Sequence, residues 1–159
     1  MTTVDEVVLR EYVEGDLDEI VRLDEKCFDD EFRFDRRSMK AYAEARNAIS
    51  LIAERESAII GFVIVHLDRV ASGLRGYVVT LDVAGEYRRQ GLAGHMMEAV
   101  EMLAVEVGAL RMELHVFTEN EAAIRFYERI GYERVARRRR FYGAKGLDAF
   151  EYRKDLTGL

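Results

Sequence analysis

Apolar side chains recur along this chain at two spacings, every second residue in some stretches and every third or fourth in others. The changeovers divide it into strands and helices. Residues 4–12 read as a first strand, and from Asp16 a helical pattern puts Leu17, Ile20, Val21 and Leu23 on one side. Phe28 to Phe34, acidic and aromatic without a period, reads as a loop. Residues 36–46 follow as a second helix with Met39, Tyr42 and Ala43 on one face. Residues 50–53 and 59–66 form a predicted hairpin around Glu54-Arg55-Glu56-Ser57, and residues 76–83 a further β-rich run. A long helix is predicted over 90–107, with Leu92, Met96, Ala99 and Leu103 at helical spacing and Gly108 where a C-cap belongs. Residues 111–117 make another strand. Thr118-Glu119-Asn120-Glu121 reads as a capping box opening a helix that packs Ala123, Phe126, Tyr127 and Ile130. Gly131 closes that helix, and two last strands follow near 132–140 and 147–152. Hairpins combined with a strand–helix–strand crossover predict an α/β fold, a mixed central sheet of about six to seven strands flanked by about four helices.

No repeat, linker or low-complexity block interrupts the pattern, so residues 1–159 are expected to form one domain. About half of the residues are hydrophobic and a third charged, which is ordinary for a soluble globular chain. The balance of 24 basic against 30 acidic residues, net −6, argues against a dedicated nucleic-acid binder. Neither a leader-like start nor an apolar run of the roughly 20 residues needed to cross a bilayer is present, so no membrane is implied. Cys27 is the only cysteine, which excludes an internal disulfide and makes a cytoplasmic setting the expectation. As a nucleophile it is a weak candidate beside its reading as a small buried hydrophobe.

Chemistry concentrates between the strand ending at Val83 and the long helix, in Gly85-Glu86-Tyr87-Arg88-Arg89-Gln90-Gly91-Leu92-Ala93-Gly94. Gly91, Ala93 and Gly94 strip side chains from a helix N-terminus, where backbone N–H groups and the helix dipole favour an anion. Arg88 and Arg89 add guanidinium groups suited to phosphate. Without a Lys-Ser/Thr pair the stretch is not a P-loop, nor does it carry the dinucleotide GxGxxG fingerprint. A glycine-lightened turn with two solvated arginines is the plain alternative.

Arg88-x-x-Gly91-x-Ala93 resembles the (Gln/Arg)-x-x-Gly-x-(Gly/Ala) motif of the GNAT acetyltransferases, which binds the coenzyme A pyrophosphate. Asn120-Glu-Ala-Ala-Ile-Arg-Phe-Tyr127-Glu-Arg-Ile-Gly-Tyr132 resembles the second signature of that family, Asn-x-x-Ala-x-x-x-Tyr-x-x-x-Gly-Phe/Tyr. The resemblance covers nearly the whole chain and implies the GNAT fold, with acetyl-CoA as co-substrate and no metal. Within the superfamily, the chain is similar to protein N-terminal acetyltransferases and ribosomal-protein alanine acetyltransferases. The segments that carry this likeness are Tyr77-Val-Val-Thr-Leu81, Leu114-His-Val116 before Asn120, and Phe141-Tyr142 before Leu147-Asp-Ala149. It implies Tyr77 and His115 as an acid–base pair and Tyr127 as the acid for the departing thiolate. The ribosomal-protein enzymes tend to carry Glu where this chain has His115. Asp29 also stands after Phe28, where a proline is common.

The same likeness implies a coenzyme site made of Leu81, Asp82, Val83, Arg88, Arg89, Gln90, Gly91, Ala93, Gly94, His95, Asn120 and Tyr127. Phe28, Glu31, Phe32, Val79, Phe141 and Tyr142 are its substrate-side candidates, with ordinary core and loop aromatics as their plain alternative. By strand alternation Tyr77, Val79, Leu81 and Val83 share one face, as do Arg111, Glu113, His115 and Phe117. The second set is unusually polar for a strand inside a sheet. Arg137 to Arg140 form a basic run, either a guide for acidic partners or a solvated strand whose stems cover apolar surface. The expected activity is acetyl transfer from acetyl-CoA to a primary amine, foremost the N-terminal α-amine of a protein or peptide. A polyamine, amino sugar or antibiotic is the alternative acceptor, and a non-catalytic acyl-CoA sensor is the rival from another class. A homodimer is left open.

Overall fold

The computed structural model describes residues 6–143 and 146–158. The elements run β1 (Val8–Glu11), α1 (Leu17–Cys27), α2 (Arg36–Ala43), β2 (Ala48–Arg55), β3 (Ala58–Val70), β4 (Gly73–Val83), α3 (Leu92–Glu106), β5 (Arg111–Phe117), α4 (Glu121–Arg129), β6 (Glu133–Tyr142) and β7 (Leu147–Asp155). All strands join one seven-stranded sheet in the order β1-β2-β3-β4-β5-β7-β6. Every neighbouring pair is antiparallel except β4 and β5, which lie parallel because α3 carries the chain back across the sheet. This is the expected mixed α/β architecture. Val4 and Asp5 of the expected first strand lie outside the described residues.

Alternation along β2 and β3 sorts the core into two layers. Leu51, Ala53, Val63 and Val65 pack on one face with Met96, Met97, Val100 and Ala104 of α3 and Tyr127 of α4. Ile52, Phe62 and Ile64 pack on the other with Leu17, Ile20 and Leu23 of α1 and Met39 and Ala43 of α2. Gly76 makes room for the Met112 side chain of β5, since a Cβ there would lie 2.6 Å from Met112 Sδ. Among the described residues, no helix is long and apolar enough to cross a membrane.

Three expectations are corrected. The face shared by Tyr77, Val79, Leu81 and Val83 is broken by a bulge: Val65 pairs with Val78 but Ile64 with Thr80, leaving Val79 unpaired. Val79 therefore packs toward α1 and α2, while Leu81 and Val83 join the α3 layer. The N-cap of α4 is Asn120, whose Oδ1 accepts from Ala123 N at 3.2 Å, and not Thr118. The second helix stops at Ala43, three residues early, because Ser50 Oγ takes the Ala43 carbonyl and an Ala48-to-Ala45 turn starts β2.

Candidate active site

The parallel pairing of β4 and β5 covers only Arg75–Arg111, Gly76–Met112 and Tyr77–Glu113 among the described residues. From the Val79 bulge onward the two strands diverge, and the sheet opens a cleft at their C-terminal ends. The loop from Ala84 to Gly91 sits at that end. Arg89 and Gly91 have φ of +64° and +83°, and such left-handed positions turn successive N–H groups toward one concave side. Gly91 is the N-cap of α3, so the positive end of a 15-residue helix points the same way. Arg88, Arg89, Gln90 and His95 are exposed beside it, and a Cβ added at Gly94 would meet nothing within 4 Å. Arg88 Nε donates to the Val83 carbonyl at 3.2 Å and Gln90 Nε2 to the Glu86 carbonyl at 2.8 Å, which ties the loop to the end of β4.

Tyr77 and His115 face each other where the cleft begins, with Tyr77 Oη 2.7 Å from His115 Nδ1. Burial pushes the Tyr77 phenol up to about 12, so it is an O–H donor to that nitrogen. Burial also lowers the His115 imidazole below its ordinary value, with Glu151 pulling the other way. Phe141 stacks on the imidazole at 4.1 Å and 16°. Phe32, from the loop between α1 and α2, lies 5.0 Å from Phe117 and 4.9 Å from Tyr142, which builds an aromatic wall beside the pair. The structure thus brings together Phe32, Phe141, Tyr142, Tyr77 and His115. Phe28 closes α1 and Glu31 lies in the following turn, both half-buried.

The polar face of β5 is accounted for residue by residue. Glu113 accepts from Arg75 at 2.9 Å and Arg111 at 2.5 Å. Burial opposes its charge, but Arg111 and Arg75 outweigh that and hold it below the usual carboxylate range. The Asp82 side chain faces Asp24 of α1, so any part Asp82 has in the coenzyme site falls to its backbone. Its carboxyl accepts from Thr80 Oγ1 at 2.6 Å, while Asp24 opposite it accepts from Phe34 N at 2.8 Å. Burial first, then the facing Asp24 carboxyl, push Asp82 well above the carboxylate range. Tyr127 is buried in the α3-side layer, edge-on to Tyr132 at 5.6 Å, and burial raises its phenol.

Glu151 and Asp24 belong to this neighbourhood and were not anticipated, while Phe117 and Arg138 were noted only as a strand-face neighbour and as part of a basic run. Phe117 follows His115 by two in one strand, so alternation alone places it on the same face. Glu151 and Arg138 need the strand order, which no local pattern contains. A cavity of 320 Å³ between the β1–β2 edge and the end of α3, lined by Tyr12, Ser50 and Leu103 among others, holds none of the candidate side chains.

Residues 17–132 match the family described as Acetyltransferase (GNAT) family, a span that includes both the Gly91 loop and the Asn120-to-Tyr132 block. The chain belongs to the GNAT family. N-alpha-acetyltransferase 30 of Schizosaccharomyces pombe is 38% identical over 104 residues, 65% of this chain and 69% of that protein. N-alpha-acetyltransferase daf-31 of Caenorhabditis elegans is 33% identical over 113 residues, 69% of this chain and 62% of its own length. The matched stretch thus spans only about two thirds of either relative. The structure of Arabidopsis thaliana Naa50 in complex with the bisubstrate analogue CoA-Ac-MVNAL superposes with a TM-score of 0.81 at 24% identity, covering 94% of this chain and 98% of that one. That likeness establishes the GNAT fold, and the family match makes the chain an acetyltransferase.

Proposed function

We propose that this GNAT acetyltransferase moves the acetyl group of acetyl-CoA directly onto the N-terminal α-amine of a protein or peptide. The observation that carries the reading is the 2.7 Å Tyr77–His115 contact where β4 and β5 separate, beside an aromatic wall. Arg88, Arg89, Gln90, Gly91, Ala93, Gly94 and His95 hold the coenzyme diphosphate at the α3 N-terminus. Asn120 and the Leu81-to-Val83 backbone line the rest of its path. Acetyl-CoA supplies a thioester, and a backbone N–H of β4 polarises its carbonyl. His115 accepts, through Tyr77, the proton that the attacking amine loses. Tyr127, kept protonated by burial, gives a proton to the leaving thiolate.

An α-amine with a pKa near ~8 is roughly a tenth neutral at pH 7, whereas a lysine near ~10.4 is almost wholly charged, so a weak base such as an imidazole suits the former. The names of the two relatives and the peptide-bearing analogue on Naa50 support the same acceptor. Phe28, Glu31, Phe32, Val79, Phe141 and Tyr142 are assigned to the peptide's first residues. The acidic loop offers less to a polycation than its sequence suggests, since Asp30 is ion-paired with Arg33. Thiol release from acetyl-CoA tests the reading, with peptides varied at their first two residues run beside spermidine and an aminoglycoside. Peptides turn over with a first-residue preference, and His115→Ala and Tyr77→Phe each lower kcat/KM by about 10²-fold or more. Turnover on the free amines alone, or variants within a few-fold of the parent, sinks it.

A further inference from the structure

Four strands carry one row of polar side chains across the sheet. Tyr77 on β4 meets His115 on β5. His115 Nε2 faces Glu151 Oε1 on β7 at 3.4 Å, and Arg138 on β6 donates through Nε to that same oxygen at 3.1 Å. His115 and Glu151 are direct partners in the β5–β7 register, so backbone pairing rather than side-chain reach sets their separation. The Phe141 stack fixes the plane of the ring between them. The Glu151 side chain is only 12% exposed, and a carboxylate so placed costs free energy unless its charge is used or compensated.

We propose that Glu151 is a positioning residue that holds His115 in the Nε2–H tautomer, with Nδ1 turned to Tyr77 as the proton acceptor, and that Arg138 moderates its charge. The proposal rests on the reading of His115 as the base. With Glu151 ionised, the imidazole nitrogen facing it carries the proton, and the Nδ1 lone pair accepts the Tyr77 O–H. When the amine attacks, one N–H bond breaks at the amine. Its proton goes to Tyr77 Oη, and the Tyr77 proton goes to Nδ1. The positive charge then rests on an imidazolium whose Nε2–H faces a carboxylate. The N–C bond to the acetyl carbonyl forms as the C–S bond breaks, the thiolate leaves with the Tyr127 proton, and the imidazolium proton returns to the Tyr127 phenolate through solvent, so no other reactant is needed for the balance.

The charges facing His115 are few. Glu151 and Glu113 favour the imidazolium, while burial and Arg138 oppose it, and Tyr77 stays neutral. Removing the two partners' charges one at a time must therefore move His115 in opposite directions, which a packing role does not do. Even under water-like screening, a unit charge at this distance shifts a pKa by about one unit.

The test compares the parent chain with Glu151→Gln, which keeps the shape of the original side chain, and Arg138→Gln, which is shorter and removes the guanidinium charge. Nitrogen-15 NMR follows the His115 imidazole, assigned by its loss in His115→Gln, and kcat/KM for a peptide is measured across pH. The expected result is an Nε2–H tautomer in the parent, a midpoint about one unit lower in Glu151→Gln and a higher one in Arg138→Gln, with the acid limb of the rate following each. A midpoint unmoved in both variants, or a parent imidazole protonated at Nδ1, overturns the proposal. Should Glu151→Gln fail to fold, the midpoint of Arg138→Gln decides alone, rising or not. Midpoints that part while the acid limb stays fixed leave Glu151 acting on His115 and remove His115 as the base.

Discussion

At the scale of single residues, the site is a set of environments that push like groups apart. His115 and Tyr77 are both desolvated, and for both this favours the neutral form, one as acceptor and one as donor. Asp82 carries the opposite consequence. Its folded pKa is raised by burial and by Asp24, so the folded state binds its proton more tightly than the unfolded chain does. Stability is then lost as pH rises from the ordinary carboxylate range, near ~4, through the raised folded value. Asp82→Asn keeps the Thr80 contact and offers the facing Asp24 carboxyl an N–H that does not depend on pH. The variant is expected to melt about 2–5 °C above the parent at pH 9, with the gap closing toward pH 4. Thermal melts across pH check this, and a gap that is constant or widens in acid contradicts it.

At the scale of elements, a helix start, a bulge and an edge strand shape the cleft. The α3 N-terminus depends on Gly91 at φ +83°, where any Cβ is disfavoured by about 1 kcal/mol. Gly91→Ala is expected to raise the KM for acetyl-CoA by about fivefold or more, with kcat at saturation little changed. Steady-state kinetics read this directly, and an unchanged KM removes Gly91 from the coenzyme site. The basic run on β6 is partly ion-paired, and Arg134 just before it also has a partner. Arg137 pairs with Asp148, Arg138 with Glu151, and Arg134 lies over Phe150 at 3.6 Å. Charge along this outermost strand also discourages edge-to-edge pairing.

Much of this was legible in the sequence, because periodicity and caps are local. The Leu92–Glu106 helix, the Arg111–Phe117 strand and the Gly108 and Gly131 stops lie within a residue or two of their expected places. The polar face of β5 was visible as an oddity before its partners were known. What stayed hidden depends on long-range pairing. The Val79 bulge arises from the register of β3 against β4, and Glu151 meets His115 only because β7 inserts between β5 and β6. Asp24 and Asp82 face each other through packing of α1 on β4, which no spacing of 58 residues in sequence announces.

At the scale of the whole molecule, the sheet order does the functional placing. β4 and β5, the only parallel pair among the described residues, sit at its middle and lose their pairing beyond Tyr77, next to His115 and the Gly91 loop. The α3 layer anchors the Gly91 loop, while the α1–α2 loop brings Phe32 against Phe117 and Tyr142. The most direct measurement is fragment-ion mass spectrometry of a peptide with a free N-terminus and an internal lysine, after incubation with the enzyme and acetyl-CoA. The account predicts a single acetyl group on the α-amine, absent when the N-terminus is blocked. Acetyl on the lysine alone, or none on peptide while spermidine is consumed, would contradict it.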